Sequence, residues 1–305
     1  MRRFLVHRLF RLLVVIFGVS VITFSLVHLT GDPVLLMLPP DATDQQIKDF
    51  QRVMGFDRPV HIQYLAFVGN ALQGDFGKSL KHQRPTMDVI WERLPSTVKL
   101  SVASLIVSLL VAMPAGIAAA VKRRTWLDSA FTAFALLGQS LPVFWTAILL
   151  MYYVGVKWRL LPVSGFESWR HLILPAITLG VWTAPVLVRL VRSAMVEVLN
   201  ADYIRTARSK GLHEMTVITR HALKNASIPI ITMLGIQFGR LLGGSVITES
   251  VFAIPGLGRA TVQAIYTADF PMVQASVLFL SLVIVLLNFL VDLTYAWINP
   301  QIRFD

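Results

Sequence analysis

"YIRTARSKGLHEMTVITRHALKNASIP", residues Tyr203 to Pro229, is the stretch on which the fold turns. It carries Arg205, Arg208, Lys210, Arg220 and Lys224 against a single acid, Glu214. On either side the chain is apolar enough to dissolve in lipid. Asn200 or Asp202 is placed to cap a helix start, because a short side-chain acceptor satisfies a free backbone N–H. Gly211 is placed to end that helix in a left-handed conformation. A second helix is expected from Glu214 to Asn225, with Met215, Ile218 and Ala222 on one face and Arg220 and Lys224 one turn apart. The stretch reads as a basic helix–turn–helix hairpin between two membrane helices. Ala207 and Gly211 are small and one turn apart, which lets another surface approach the backbone, and Arg205 and Arg208 beside them can pair with acids. A hairpin resting on anionic lipid is the competing reading.

The rest of the 305-residue chain agrees with a membrane setting. It is 55% hydrophobic and only 15% charged, with a mean hydropathy of +0.65; a soluble chain has roughly a quarter charged residues. About 20 apolar residues cross a bilayer, and six segments qualify: Leu9–Leu29, Leu100–Val121, Ala130–Val156, Leu172–Met195, Ile228–Thr248 and Val273–Ile298. Pro142, Pro175 and Pro185 fall inside the third and fourth, where neighbouring helices can satisfy the freed backbone groups. The expected fold is an all-α polytopic membrane protein with six transmembrane helices. It forms one domain over 1–305: a first helix at 1–29, a connection at 30–97 and a five-helix core at 98–305. Leu9–Leu29 is too long for a signal-peptide core and no A-x-A site follows it, so a retained first helix is expected. There are no cysteines, which excludes disulfides and thiolate metal sites, and no run with metal-ligand spacing is present.

Charge sets the orientation, since Lys and Arg favour cytoplasmic flanks. Arg2, Arg3, Arg8 and Arg11, then Lys122, Arg123 and Arg124, then the quoted hairpin, then Arg303 all belong on one side of a chain that crosses six times. Both termini are therefore expected in the cytoplasm. The connection from Thr30 to Thr97 is nearly balanced in charge and falls outside. Lys157, Arg159 and Arg170 in the third connection are a mild exception. The net charge of +11 is thus topological and asks for a lipid bilayer rather than a nucleic acid.

In the outer connection Ile47, Phe50 and Met54 lie at helical spacing ahead of Gly55, and the stretch from Arg58 to Gly77 mixes apolar and polar residues at helical period. One or two amphipathic helices are expected over the outer mouth, either as a plain cap or as a contact surface. "GDFGKS" (Gly74–Ser79) ends like a P-loop, but the glycine that a P-loop needs five residues earlier is Leu72. ATP binding by that route is excluded.

"RTARSKG" followed by "RHALKNASIP" resembles the cytoplasmic EAA loop of bacterial ABC-importer permeases. That pattern runs Glu-Ala-Ala, three residues, Gly, nine residues, then Ile-x-Leu-Pro. Arg205, Thr206 and Ala207 take the triplet, Gly211 the Gly, His221 the Ile, Leu223 the Leu and Lys224 the Pro. Ala207, Gly211 and Leu223 agree with the general form; the departures are similar to the branch that imports dipeptides, oligopeptides, nickel and glutathione. "GDPV" (Gly31–Val34), "GDFGKS", "ILPAITLG" (Ile173–Gly180), "VFAIPGLGR" (Val251–Arg259) and "INPQIR" (Ile298–Arg303) extend the resemblance over essentially the whole chain. It implies a type I ABC-importer permease fold in the bacterial inner membrane. It also implies two paired permease subunits, the second a paralogue in most members of the branch, one or two cytoplasmic ATPase subunits and a periplasmic substrate-binding protein. The loop, residues 197–227, would be the coupling element, with Asp202, Arg205, Thr206, Ala207, Arg208, Gly211, Leu212, His221 and Leu223 as its contact residues. No enzyme activity and no cofactor would belong to this chain; ATP and Mg would be used by the ATPase subunits. Peptides or similar small polar solutes are the expected cargo.

Several residues are candidates for the substrate path. Arg240 lies inside the fifth apolar segment, where a charge faces a cavity or a partner; an anionic group of the substrate, Glu249, Asp292 and a snorkelling pose all remain open for it. Gln139 and Ser140 beside Pro142, and Glu249 just past the fifth segment, complete the set. Gly235, Gly239 and Gly243 recur every four residues and read as a close-packing stripe. "FAIPGLG" (Phe252–Gly258) reads as an outer gate or as a compact turn. An ion-coupled secondary transporter is the alternative function, but it asks for acids or histidines deep in the spans, and Asp292 is the one acid well inside a segment. An intramembrane hydrolase is disfavoured because neither G-x-S-x-G nor H-E-x-x-H occurs.

Overall fold

The computed structural model describes residues 2–29, 34, 38 and 42–298; most of "GDPV" and of "INPQIR", with Arg303, lies outside them. Every extended element among these residues is a helix. The helices are α1 (Arg2–Leu29), α2 (Asp44–Met54), α3 (Val60–Leu72), α4 (Thr86–Val121), α5 (Trp126–Ser140), α6 (Val143–Lys157), α7 (Trp169–Leu199), α8 (Asp202–Ser209), α9 (Glu214–Gly244), α10 (Val246–Val251), α11 (Leu257–Tyr266) and α12 (Phe270–Ile298). Five are long and apolar enough to cross a membrane: α1, α4, α7, α9 and α12. The expected third crossing, Ala130–Val156, is instead two helices. Leu141 is extended (φ −88°, ψ 135°) and Pro142 holds φ at −59°, because the proline ring disfavours the helical region for the residue before it. Pro175 and Pro185 ride inside α7 without breaking it.

The chain divides into two compact units, residues 1–95 with 256–286 and residues 96–255 with 287–305. In the first unit Val89, Ile90, Leu257, Ala264, Met272, Ala275 and Leu280 form the core. Phe10, Leu13, Phe17 and Ile22 of α1 stay exposed, as lipid-facing residues do. The amphipathic α2 and α3 are both present. α2 opens on a capping box in which Thr43 and Gln46 exchange backbone and side-chain hydrogen bonds, an arrangement that satisfies free N–H groups at a helix start. Tyr64 of α3 meets Ser20 Oγ at 2.8 Å and stacks edge-on against Phe24 of α1. "GDFGKS" is a structural clasp: Gly77 turns with a φ of +78°, and Ser79 Oγ and Lys81 N donate to the buried carboxylate of Asp269. The other oxygen of Asp269 accepts from Met272 N at 3.3 Å and so caps the start of α12.

The second unit is built around α7, whose best apolar window is 61% buried against 17% to 33% for the other four long helices. α4 and α7 touch backbone to side chain at two levels. A Cβ on Gly180 would stand 2.6 Å from Val107 and 2.9 Å from Ser104 O, and one on Gly116 would stand 2.7 Å from Val191. The carboxylate of Glu249, fully buried, accepts from Thr97 Oγ1 and Ser245 Oγ, each at 2.8 Å, tying α10 to α4.

Candidate functional site

The basic hairpin is present, with a different internal construction from the one its residue types suggest. α8 begins at Asp202, but neither proposed cap works as one: Asn200 Nδ2 donates back to Val196 O, and Asp202 faces solvent 3.5 Å from Arg205. Gly211 does turn the chain, with a φ of +76° and its N–H on Arg208 O. His213 Nδ1 then accepts from Met215 N and opens α9. The second helix does not stop at Asn225. It runs on as α9 to Gly244, carrying Pro229 inside it.

Residues Val217–Ala222 of α9 are π-helical. The wider turn shifts the register, so Val217 joins Ala222 in the interior while Met215, expected on the same face, is 62% exposed. Ile204 and Ala207 of α8, Val217, Ala222 and Ala226 of α9, Val191, Ala194 and Met195 of α7 and Ala120 of α4 form one buried cluster. The base of the hairpin is therefore fixed to α4 and α7 of its own unit. Ala207, read from sequence as part of an open approach surface, lies in this cluster. The spacing of Ile204 and Ala207, three residues apart, was the available signal for that inward face.

Its other face is open. Tyr203, Arg205, Thr206, Arg208, Lys210, Gly211 and Leu212 are exposed, whereas His221 and Leu223 are half-buried. Nothing lies within 4 Å of a Cβ built on Gly211. Arg208 grips Glu214 bidentately across the turn, Nε to Oε2 at 3.1 Å and NH2 to Oε1 at 2.6 Å. That hydrogen bond holds the Arg208 guanidinium above its ordinary value. Tyr203 OH accepts from Asn225 Nδ2 at 2.7 Å, joining α8 to α9. A cleft of about 210 Å³ runs beside the turn, lined by Arg123, Asn200, Arg208 and Glu214 with Ala120 and Val196.

The candidate path residues scatter. Gln139 and Ser140 are exposed at the end of α5. Glu249 is buried in the α4–α10 contact, inside protein and away from any open surface. Gly235 packs closely, with a Cβ there standing 2.2 Å from Val291 of α12; Gly239 is buried and Gly243 half-buried. Arg240 is exposed on α9, and its NH1 donates to Gln237 Oε1 at 3.3 Å. Sequence reasoning missed Asp128, whose carboxylate receives Arg192 of α7; two charges 64 residues apart give no local pattern.

The sequence model of the family described as "Binding-protein-dependent transport system inner membrane component" matches residues 112–304, and that of its N-terminal region matches residues 1–101. The glutathione transport system permease protein GsiC of Escherichia coli (strain K12) is 43% identical over 305 residues, covering all of both chains. The protein of the same name from Salmonella choleraesuis (strain SC-B67) is 44% identical over the same span. Among solved structures, an inward facing conformation of the MetNI methionine ABC transporter superposes with a TM-score of 0.59 at 19% identity, over 70% of this chain and 97% of that one. A second crystal form gives 0.57 at 21% identity. At such identities the likeness concerns the fold, and the fold is that of an ABC-importer permease. The chain belongs to the family of binding-protein-dependent transport system inner membrane components, as a multi-pass permease subunit of an ABC importer.

Proposed function

We propose that this subunit imports small peptides, glutathione among them, and that the open face of α8 and the following turn is where a cytoplasmic ATPase subunit docks. The observation that carries the reading is the two-sided construction of the hairpin. Ile204, Ala207, Val217 and Ala222 anchor it to α4 and α7, while Arg205, Thr206, Lys210, Gly211 and Leu212 stand open. A surface attached in this way passes a displacement to the helices beneath it. ATP favours one arrangement of the ATPase pair, and docking carries that bias to the membrane helices as differential binding.

The remaining parts follow the family. A second permease, a paralogue, completes the path, a periplasmic binding protein delivers the solute, and both termini lie in the cytoplasm with the hairpin. ATP and Mg are used by the ATPase subunits. Ala207 acts from inside, as an anchor, and has no part in the contact itself.

The test is co-purification of the assembled importer carrying Leu212→Asp or Lys210→Glu, both on the open face. Loss of the ATPase subunits with the permease pair intact, and a fall in ATP-dependent uptake of about tenfold or more, is the expected result; each charge change disturbs contacts worth on the order of 1–3 kcal/mol. Unchanged ATPase recovery in both variants rejects the docking surface.

A further inference from the structure

Arg240 is a charge in an expensive place. Lys224 is the last basic residue before it on α9, and at ~1.5 Å per residue Arg240 lies about 24 Å further along the helix. With Lys224 at the inner boundary, that depth falls inside a hydrocarbon core of roughly 30 Å. A charge there is not left against lipid; it faces water or a counter-charge. Snorkelling to the outer boundary does not describe it. Side chains on a helix lean toward its N-terminus, and the guanidinium rests on Gln237, one turn nearer the inner end.

Its surroundings within the unit supply a neutral hydrogen-bond partner and no counter-charge. Gln237 is 3% exposed, so the group that steadies the guanidinium is fixed in the protein interior. It is also neutral, and the full positive charge stays uncompensated: among the described residues Arg240 makes no ion pair, and neither Glu249 nor Asp292 is its partner. Arg240 is exposed within its own unit, which leaves the fork accessible. A planar guanidinium with free donors matches a carboxylate bidentately.

We propose that Arg240, steadied by Gln237, receives a carboxylate of the solute during its passage and sets the preference of this permease for acidic or free-acid peptides. The assignment rests on the importer reading above and adds the chemical group that is recognised. Glutathione, which bears two carboxylates, fits it. Gln237 is a positioning residue that holds the guanidinium inward and away from the outer boundary.

The test uses the complete importer in proteoliposomes with saturating binding protein. Two probes are offered, glutathione and dialanine, each as the free acid and with every carboxyl amidated, and the pair that wild type accumulates is followed. Arg240→Gln is expected to lower the maximal rate for the free acid roughly tenfold or more, the scale of a lost charge-assisted hydrogen bond, and to change the amide less than twofold. Arg240→Lys falls between, since it keeps the charge and loses the fork. Gln237→Leu lowers the acid rate several-fold with the charge intact. Because each variant is scored as its own acid-to-amide ratio, the preference of the binding protein cancels. Equal loss of acid and amide, or no change in either, overturns the assignment. So does loss of the second permease on co-purification of Arg240→Gln, which would make Arg240 a subunit contact. Accumulation of neither probe by wild type, with ATP present, would instead sink the small-peptide cargo reading and the assignment with it.

Discussion

Arg192 holds Asp128 with two nitrogens, Nε at 2.6 Å from Oδ1 and NH2 at 2.7 Å from Oδ2, joining the first turn of α5 to α7. Oδ2 also accepts from Arg124 N at 3.2 Å, in a turn where Arg124 has a φ of +64°. The pair thus fixes the α4–α5 turn onto the central helix. Asp128→Asn or Arg192→Gln is expected to cost about 1–2 kcal/mol, below the full value for a charged hydrogen bond because Arg192 is one-third exposed. Thermal unfolding in detergent measures it.

The same pair gives a pH dependence. Hydrogen bonding to Arg192 holds the Asp128 carboxyl below the usual carboxylate range. A group whose value is lowered by folding stabilises the folded state above its ordinary value and loses that contribution as pH falls through the lowered one. The stability difference between wild type and Asp128→Asn is therefore constant near neutrality and shrinks below the ordinary carboxylate value of about 3.9. A difference that grows on acidification would contradict the bidentate pairing.

Glu249 accepts two hydroxyl hydrogen bonds in a fully buried setting. Glu249→Leu leaves those buried hydroxyls without this acceptor, at about 1–3 kcal/mol each, and should lower the unfolding free energy by roughly 2–6 kcal/mol. In the Thr97→Val background the same change should cost at least about 1 kcal/mol less, since the two residues share one interaction. Strict additivity would refute the contact.

Gly180→Val would force carbon atoms into Val107 and the Ser104 carbonyl. Overpacking of this kind costs typically 1–3 kcal/mol, and the contact with a backbone carbonyl puts this site at or above the upper end. Folded yield and melting temperature should both fall, while Gly244→Ala, in open space, should leave the unfolding free energy within about 0.5 kcal/mol of wild type.

Asp269→Ala should loosen the first unit by about 2 kcal/mol, removing the cap of α12 and the acceptor for Ser79 together. Limited proteolysis within residues 74–85 reports it directly, with faster cleavage expected in the variant.

Local pattern carried the reading as far as local pattern can. Apolar run length located α1, α4, α7, α9 and α12, and the basic hairpin with its left-handed Gly211 stands where residue type put it. The sequence under-read lengths: α4 begins at Thr86, fourteen residues before Leu100, because helical propensity continues past the apolar boundary. It also misplaced Met215, since a π turn changes the period on which facing residues are counted. Asp128 with Arg192, Ser79 with Asp269 and Thr97 with Glu249 are pairings between distant parts of the chain, and no window of residues contains both members. Ile204, three residues before it, signals the inward face of Ala207, but that α7 is the element covering this face is not encoded by its neighbours in sequence.

The hairpin turn and Arg240 share α9, which runs from Glu214 to Gly244 with a π-helical stretch at Val217–Ala222 and Pro229 inside it. From Met215 to Arg240 it measures about 38 Å at 1.5 Å per residue. Swung by ten degrees about its Met215 end, a helix of that length sweeps its far end sideways by roughly 7 Å, further than a hydrogen bond can stretch. On the docking and carboxylate-binding roles proposed above, a small tilt of α9 is geometrically sufficient to make and break the Arg240 contact, with no relay of intervening side chains required.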